Sequence, residues 1–334
     1  MPPLVSVVIA NWNGRRHLAA CLPALARQTY PNFETVIVDN GSTDGSPAWL
    51  AEHYAAVTVI ANTHNRGFAA ANNQGIAAAR GEFIALLNND TQPDPRWLAA
   101  LVQAVAVDDH IGMAASLLLF ADRPEVINST GICVDRCGLS WDRDGGRRRV
   151  ATSADPVPVF GASAGAALYR RALFEDVGVF DEDFFAYLED VDLAWRARWR
   201  GWQAVFVPQA RVLHTHSATG QEGSAFKTRW LARNKVILLA KNYPTPYLWW
   251  WLPLILAYDA LSLLNTLVRQ RRLSGLTGRL AGWASLGRAL RQRRALLQRA
   301  TVPAREVFQR LEPAAWPWRV GQRYAHHRPG HSQP

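Results

Sequence analysis

The chain has 334 residues, 49% hydrophobic and 19% charged, with three cysteines and a formal net charge of +10. This composition excludes a disordered, collagen-like or disulfide-scaffold chain, and the length suits one large or two modest domains. The charge is uneven: residues 1–228 carry 19 Lys/Arg against 24 Asp/Glu, whereas residues 229–334 carry 18 against 3. An acidic globular part followed by a basic, aromatic part is expected, rather than one uniformly basic nucleic-acid-binding body.

The opening MPPLVSVVIANWNG lacks the basic n-region and small-residue cleavage site of a signal peptide and reads as a buried first strand. Further apolar runs at 34–39, 57–61, 82–87 and 112–119 read as strands, and 15–28, 44–55, 67–80 and 94–107 as the helices between them. Such alternation predicts a parallel sheet covered on both faces, with ligands at the carboxyl ends of the strands. Polar clusters stand at those ends: Asn11–Gly14, Asp39–Ser42 and Asn88–Asp90. Cys21, Cys133 and Cys137 have no CxxC spacing, which indicates neither a disulfide framework nor a zinc site.

Residues 121–158, rich in Asp, Arg and Gly, read as an excursion or hairpin over the sheet. A second compact stretch over 159–216 contains GASAGAALYRR, a helix across 188–200 and a strand at VFVP. The boundary of the globular domain is expected near 228, with a helical, basic and aromatic region over 229–334. In that region Tyr247–Leu267 is long enough to span a bilayer, but Pro253, Asp259 and Asn265 interrupt it. Lys235 and Lys241 precede it and 14 Arg against 2 Glu follow residue 268, so a single span would export one basic flank. An interfacial helix or re-entrant hairpin at the cytoplasmic leaflet fits better, with a buried helix at a dimer or domain interface as the alternative. In WASLGRALRQRRALLQRA the spacing places Trp283, Leu286, Leu290 and Leu297 on one face.

Each polar cluster has an ordinary reading. DNGSTDGS suits a helix cap and turn, NND a ligand-free turn, and LEDVDLAWRARWRGW an amphipathic helix whose acidic start suits the macrodipole. Their common position at strand ends and helix starts of one α/β sheet argues for a shared site.

In their order along residues 4–220, VSVVIANWNG, VIVDNGSTDGS, NRGFAAANNQGI, FIALLNNDTQPDP, the block from GASAGAAL to LEDVDLAWRARWRGW, and ARVLHTHSAT resemble the family 2 glycosyltransferases. The tail, with RWLARN before the apolar stretch, is similar to the family's rhamnosyltransferase-like branch, which decorates cell-surface polysaccharides and lipid-linked glycans. The resemblance implies the GT-A nucleotide-sugar-binding fold: α/β, with a mainly parallel central sheet and, here, a helical C-terminal region.

It also implies roles. Asn11, Asn13 and Gly14 would wrap the base, the glycine allowing close backbone approach, and Asp39 would accept the base's imide N–H, with Asn40 and Ser42 in the same turn. Arg66, Gly67 and Asn72 would close over the nucleoside and diphosphate. Asn88-Asn89-Asp90 stands at the family's Asp-x-Asp position with asparagine first, which leaves Asn88 between a ribose contact and a weak metal ligand. Asp90 would be the main ligand to Mg2+ or Mn2+, completed by His214 or, as second choice, His216. Asp190 matches the base of an inverting transfer, Glu189 its companion, and Asp192 is as well suited to hold Arg196.

The implied partners are a nucleotide-sugar donor (dTDP-rhamnose first, UDP-sugars as rivals), a lipid-linked or polysaccharide acceptor, and the cytoplasmic membrane surface, without nucleic acid. A sugar-phosphate nucleotidyltransferase would carry a Gly-rich cationic loop where NWNG stands, and a processive synthase a glutamine where Phe226 precedes Arg229-Trp230. A non-catalytic, membrane-bound scaffold would predict losses at Asp39, Asp90 or Asp190, and all three are present.

Overall fold

A computed structural model of the chain describes residues 1–149, 155–215 and 224–315. The first half alternates as the apolar runs predict: Val5–Asn11 (β1), Arg15–Ala26 (α1), Phe33–Asp39 (β2), Ser46–His53 (α2), Thr58–Ala61 (β3), Phe68–Ala78 (α3) and Phe83–Leu87 (β4). These four strands run parallel in the order β4-β1-β2-β3. β1 is buried on both faces, Val7 and Ile9 entering one core and Val8 the other, which explains its unbroken apolar run. The register sets Asn11 opposite Asp39, so the polar residues that end β1 and β2 stand side by side.

Thr91–Pro93 (β5), Trp97–Val105 (α4), Ile111–Phe120 (β6), Arg123–Ser129 (β7), Ile132–Val134 (β8), Ser140–Asp142 (β9), Val157–Pro158 (β10), Ala166–Arg170 (β11), Arg171–Val177 (α5), Glu189–Trp199 (α6) and Gln203–His214 (β12) follow. β12 lies parallel to β6, but β11 runs antiparallel between β4 and β6. The sheet is therefore mainly, not uniformly, parallel. β11 comes from the small-residue segment GASAGAALYRR, which fits between two fully buried strands. Residues 121–158 do contain a hairpin, β8 with β9. β5, too short and proline-bearing to read from sequence, pairs with the end of β12 and sets Thr91 opposite His214.

Among the described residues, five helices follow: Ala225–Asn242 (α7), Thr245–Leu264 (α8, continuing as a π-helical turn over Asn265–Arg269), Ser274–Ala284 (α9), Leu286–Arg299 (α10) and Ala304–Gln309 (α11). Glycines seat α9 closely on α7: a Cβ at Gly282 would come within 2.8 Å of the Arg233 carbonyl. A buried ionic knot ties α7 to the globular part. Lys241 Nζ donates to Asp181 at 2.7 Å and to Asp192 at 3.0 Å, and Asp192 also accepts from Arg196 Nε and Asn242 Nδ2, each at 2.8 Å. The Asp192–Arg196 pair expected on α6 is thus present, as a structural element.

One expectation for this region needs correction. Trp283 does not share one continuous helix face with Leu286, Leu290 and Leu297, because the helix breaks at Ser285 between them; Trp283 and Leu290 are exposed, Leu286 and Leu297 half-buried, and Ala289 and Arg293 turn inward. Tyr247–Leu267 is not buried within the chain itself. Of α8 only Ile255 and Tyr258 are buried, whereas Trp249 is 69% and Trp250 84% exposed. Asp259 faces inward, where Arg279 holds it at 2.7 Å and Lys235 at 3.5 Å. Thr245–Arg269 is the one helix among the described residues that is long and apolar enough to cross a membrane, by length and composition.

Candidate active site

A cavity of about 750 Å³ opens at the carboxyl ends of β1, β2, β4 and β12, a size that suits a small organic ligand. Asn11 and Asn89 line it and hold each other, Asn89 Nδ2 donating to Asn11 Oδ1 at 2.7 Å. Gly14 makes this possible, since a Cβ there would collide with both amides. Its small size thus serves the Asn11–Asn89 bond; Gly14 is not itself in the cavity wall. Asn11 Nδ2 donates in turn to Asp39 Oδ2 at 2.9 Å, and Asp39 Oδ1 accepts from Ser42 N at 2.9 Å. Asn13, with φ of 50°, exchanges bonds with the same turn: its N–H donates to Ser42 Oγ and its Oδ1 accepts from Thr43 N. Asp39, Ser42 and Asn13 stand behind the wall and shape it. The capping reading of DNGSTDGS holds for Asp44, which accepts from the N–H groups of Arg15 and Ser46.

Asn40 is in the wall and acts as a hub, its Nδ2 donating to Asn65 Oδ1 and the Gly67 carbonyl and its Oδ1 accepting from Arg66 N. Gly67 lies in the wall at φ +92°, where a Cβ would strike Phe185. Two predicted residues lie elsewhere. The Arg66 side chain reaches Glu182 at 3.9 Å, and Asn72 is buried against its own helix, donating to the Phe68 carbonyl.

Across the cavity the β5–β12 pairing brings Asp90 beside His214, Oδ1 to Nε2 at 3.3 Å. Asn128 Oδ1 stands 2.8 Å from His214 Nδ1. In the tautomer with the proton on Nδ1, the Nε2 lone pair and the Asp90 carboxylate would face one another and could share a cation. Asp90 and His214 could hold a hard divalent ion whose other positions go to diphosphate oxygens and water, as magnesium ions are commonly held. No group of three metal-ligating side chains occurs among the described residues. Asn88 is in the wall nearby. His216 lies outside the described residues.

Glu189 and Asp190 open α6 and enter the same cavity. Burial, then the Asp190 charge, push Glu189 up to about 8; burial, then the Asp142 charge, push Asp190 up to about 6 against the Ala164 N–H, which donates to Asp190 Oδ2 at 3.2 Å. Glu189 Oε2 is buried and accepts no hydrogen bond from any described residue. A buried oxygen left so is open to a ligand hydroxyl. Asp192 differs: burial would raise it, but Lys241 and Arg196 outweigh that and hold it low.

Trp12, Asn65, Asn128, Asp142, Ser163, Phe185 and Tyr187 also line the cavity, and sequence reasoning did not single them out. Asn128 and Asp142 come from the 121–158 excursion, in polar stretches without spacing signals. Phe185, Tyr187 and Leu188 could have been suspected only from their backbone, since all three have positive φ.

Against known proteins, the model described as glycosyl transferase family 2 matches residues 6–178. N-acetylglucosaminyl-diphospho-decaprenol L-rhamnosyltransferase of Mycobacterium tuberculosis is 29% identical over 277 residues, covering 76% of this chain and 89% of its own length. O-antigen biosynthesis protein RfbC of Myxococcus xanthus is 29% identical over 235 residues, 65% of this chain and 18% of that protein. Among solved structures, GalNAc-T7 with UDP, GalNAc and Mn2+ superposes with a TM-score of 0.60 at 21% identity, over 73% of this chain and 49% of that one. A mannosyltransferase of Pyrobaculum calidifontis with GDP-Man and Mn2+ gives 0.52 at 22% identity, over 86% and 76%. These two likenesses establish the GT-A fold.

Proposed function

The chain belongs to glycosyl transferase family 2, and from that premise we propose that it is an inverting, metal-dependent enzyme that moves rhamnose from dTDP-rhamnose to a hydroxyl of a lipid-linked sugar. The observation that carries this reading is the convergence of two pairs, Glu189–Asp190 and Asp90–His214, on one cavity. Rhamnose and a diphospholipid-linked acceptor are favoured by the mycobacterial relative, whose name gives both and which this chain matches over most of its length.

In this reading the base lies over Asn11, which Asp39 holds from behind, with Asn40 and Gly67 closing the donor site; Arg66 and Asn72 act only through that loop. Asp90 and His214 would hold Mg2+ or Mn2+, which when bound supplies charge neutralisation for a diphosphate leaving group. Asn88 and Asn89 frame that end. In the same cavity Asp190 takes the acceptor hydroxyl proton as that oxygen attacks the anomeric carbon. The bond from that carbon to the diphosphate oxygen breaks on the other face, so configuration inverts. Burial raises both carboxyls and the Asp190 charge raises Glu189 further, so the pair favours holding one proton between its members, leaving one carboxylate to act as base.

The division near residue 228 is proposed to separate chemistry from docking. α8 exposes Trp249, Trp250, Leu256, Leu261 and Leu264 while Asp259 is held inward, and Arg269, Arg271 and Arg272 follow. A helix with one face fixed to protein and the other exposing aromatic and apolar groups suits the cytoplasmic membrane surface, where Trp favours the interface and arginine the anionic headgroups. The acceptor's lipid would be held there. A donor screen by released dTDP or UDP, with and without chelator, tests the reading. Transfer undiminished by chelator would overturn the Asp90/His214 assignment, and turnover with UDP-sugars but not dTDP-rhamnose would overturn the donor.

A further inference from the structure

The segment that delivers Glu189 and Asp190 is strained. Phe185, Tyr187 and Leu188 have φ of 57°, 71° and 69°, in the left-handed region that non-glycine residues adopt at a cost of about 1–3 kcal/mol each. Such strain persists only where neighbouring structure holds it. One face of the holder is the donor loop, where Ala69 N donates to the Phe185 carbonyl at 3.1 Å and Gly67 leaves room for Phe185. The other face is α7. Its Asn234, fully buried, sits in the RWLARN stretch to which no role attaches so far.

Asn234 Nδ2 donates to the carbonyls of Phe184 at 2.8 Å, Ala186 at 3.0 Å and Tyr187 at 2.9 Å. Its Oδ1 accepts from Arg233 Nη1 at 2.9 Å, which fixes the amide the right way round, and the same Nη1 donates to the Asp183 carbonyl at 2.6 Å. One turn earlier, Trp230 stacks on Phe185 with ring centroids 4.9 Å apart and planes 14° from parallel. Three residues of α7 therefore grip five consecutive residues, Asp183–Tyr187, that end two positions before Glu189. α7 is itself seated by the glycine face of α9 and by the Lys241 knot.

We propose that Asn234 is a positioning residue: its amide gathers three carbonyls of the strained segment and so sets the acidic pair in the cavity. The proposal rests on Asp190 as base. It also gives the C-terminal helices a second task beside docking, since they complete the site they follow in sequence. The two N–H bonds of Nδ2 face three inward carbonyls, so one of them is shared between two oxygens. Aspartate, of the same size, would set an oxygen against them.

The test compares Asn234→Ala, Asn234→Asp and the milder Arg233→Gln with wild type and Asp190→Asn in the full chain. Measured are kcat, donor KM, dTDP affinity, and the acidic limb of the pH–rate profile. Expected is a kcat 10- to 100-fold lower in Asn234→Ala, lower still in Asn234→Asp, with dTDP affinity within threefold of wild type. The acidic limb should move to lower pH, because a loosened segment lets water reach the carboxylates. Arg233→Gln should move both readouts the same way by less, and it decides the matter if the Asn234 variants do not fold. An unchanged limb, or kcat and dTDP affinity falling together, would overturn the proposal. If Asp190→Asn itself turns over, the base assignment has failed, an outcome distinct from failure of the positioning role.

Discussion

His214 presents Nε2 to Oδ1 of Asp90 at 3.3 Å, while Asn128 fixes its other nitrogen at 2.8 Å. Without a proton or cation between them the two atoms repel, so removing either should matter more in the presence of metal than in its absence. Asp90→Ala is expected to lower kcat at least about 100-fold and His214→Ala about 10-fold, consistent with loss of a ligand from a catalytic metal site. Asn128→Leu should raise the metal concentration needed for half-maximal activity by about tenfold. Titration of activity with Mn2+ in each variant checks this, and unchanged half-saturation in all three would dismiss the pair as a metal site.

The base must be ionised, so rate should rise with pH through the value to which burial and Asp142 push Asp190, about 6. Below it the rate should fall about tenfold per pH unit. Asp142→Asn removes a nearby negative charge and should shift the limb to lower pH. A pH–rate series of wild type and variant reads the shift; a limb that moves up would refute the electrostatic account.

Glu189 is tuned at a cost to the fold. Its proton affinity is raised in the folded state, so its contribution is complete below the unfolded value of 4.5 and is lost as pH climbs through about 8. Glu189→Gln should therefore leave Tm unchanged near pH 4.5 and raise it by several degrees near pH 8, while lowering activity. Thermal unfolding at the two pH values decides, and a variant less stable at pH 8 would contradict the burial argument.

Lys241 is buried between Asp181 and Asp192. Lys241→Met strands two buried carboxylates and should cost about 3–5 kcal/mol in urea unfolding. A loss below about 1 kcal/mol would show that the knot does not join α7 to α6.

Membrane docking should depend on α8. Replacing Trp249 and Trp250 with serine removes two of its most exposed aromatics and should reduce flotation with phosphatidylglycerol-containing vesicles about tenfold or more, leaving dTDP affinity intact. Undiminished flotation would locate the contact elsewhere.

The strands, the helices between them and the carboxyl-end clusters were legible because unbroken apolar runs and turn residues carry strong local signals. Asp90, Glu189, Asp190 and His214 were reachable by type and position, and they converge. The roles of Gly14, Asp39 and Asn89 in holding neighbouring amides were not, since such bonds join residues up to 78 positions apart. Asn72 illustrates the reverse: an asparagine in a matching block whose side chain bonds its own helix. β11's direction depends on chain return through the 121–158 excursion, which no local pattern encodes. Trp283 was grouped with the leucines of α10 because the break at Ser285, which resets the helical period between them, leaves no mark in the spacing.

The central claim is that Asp190 removes the acceptor proton. It is tested most directly by product formation from dTDP-rhamnose and an N-acetylglucosaminyl-diphospho-polyprenol in wild type and Asp190→Asn, with dTDP affinity measured alongside. The account predicts transfer by wild type, a loss of about a thousandfold or more in the variant, and equal nucleotide binding. Turnover by Asp190→Asn within tenfold of wild type would contradict it.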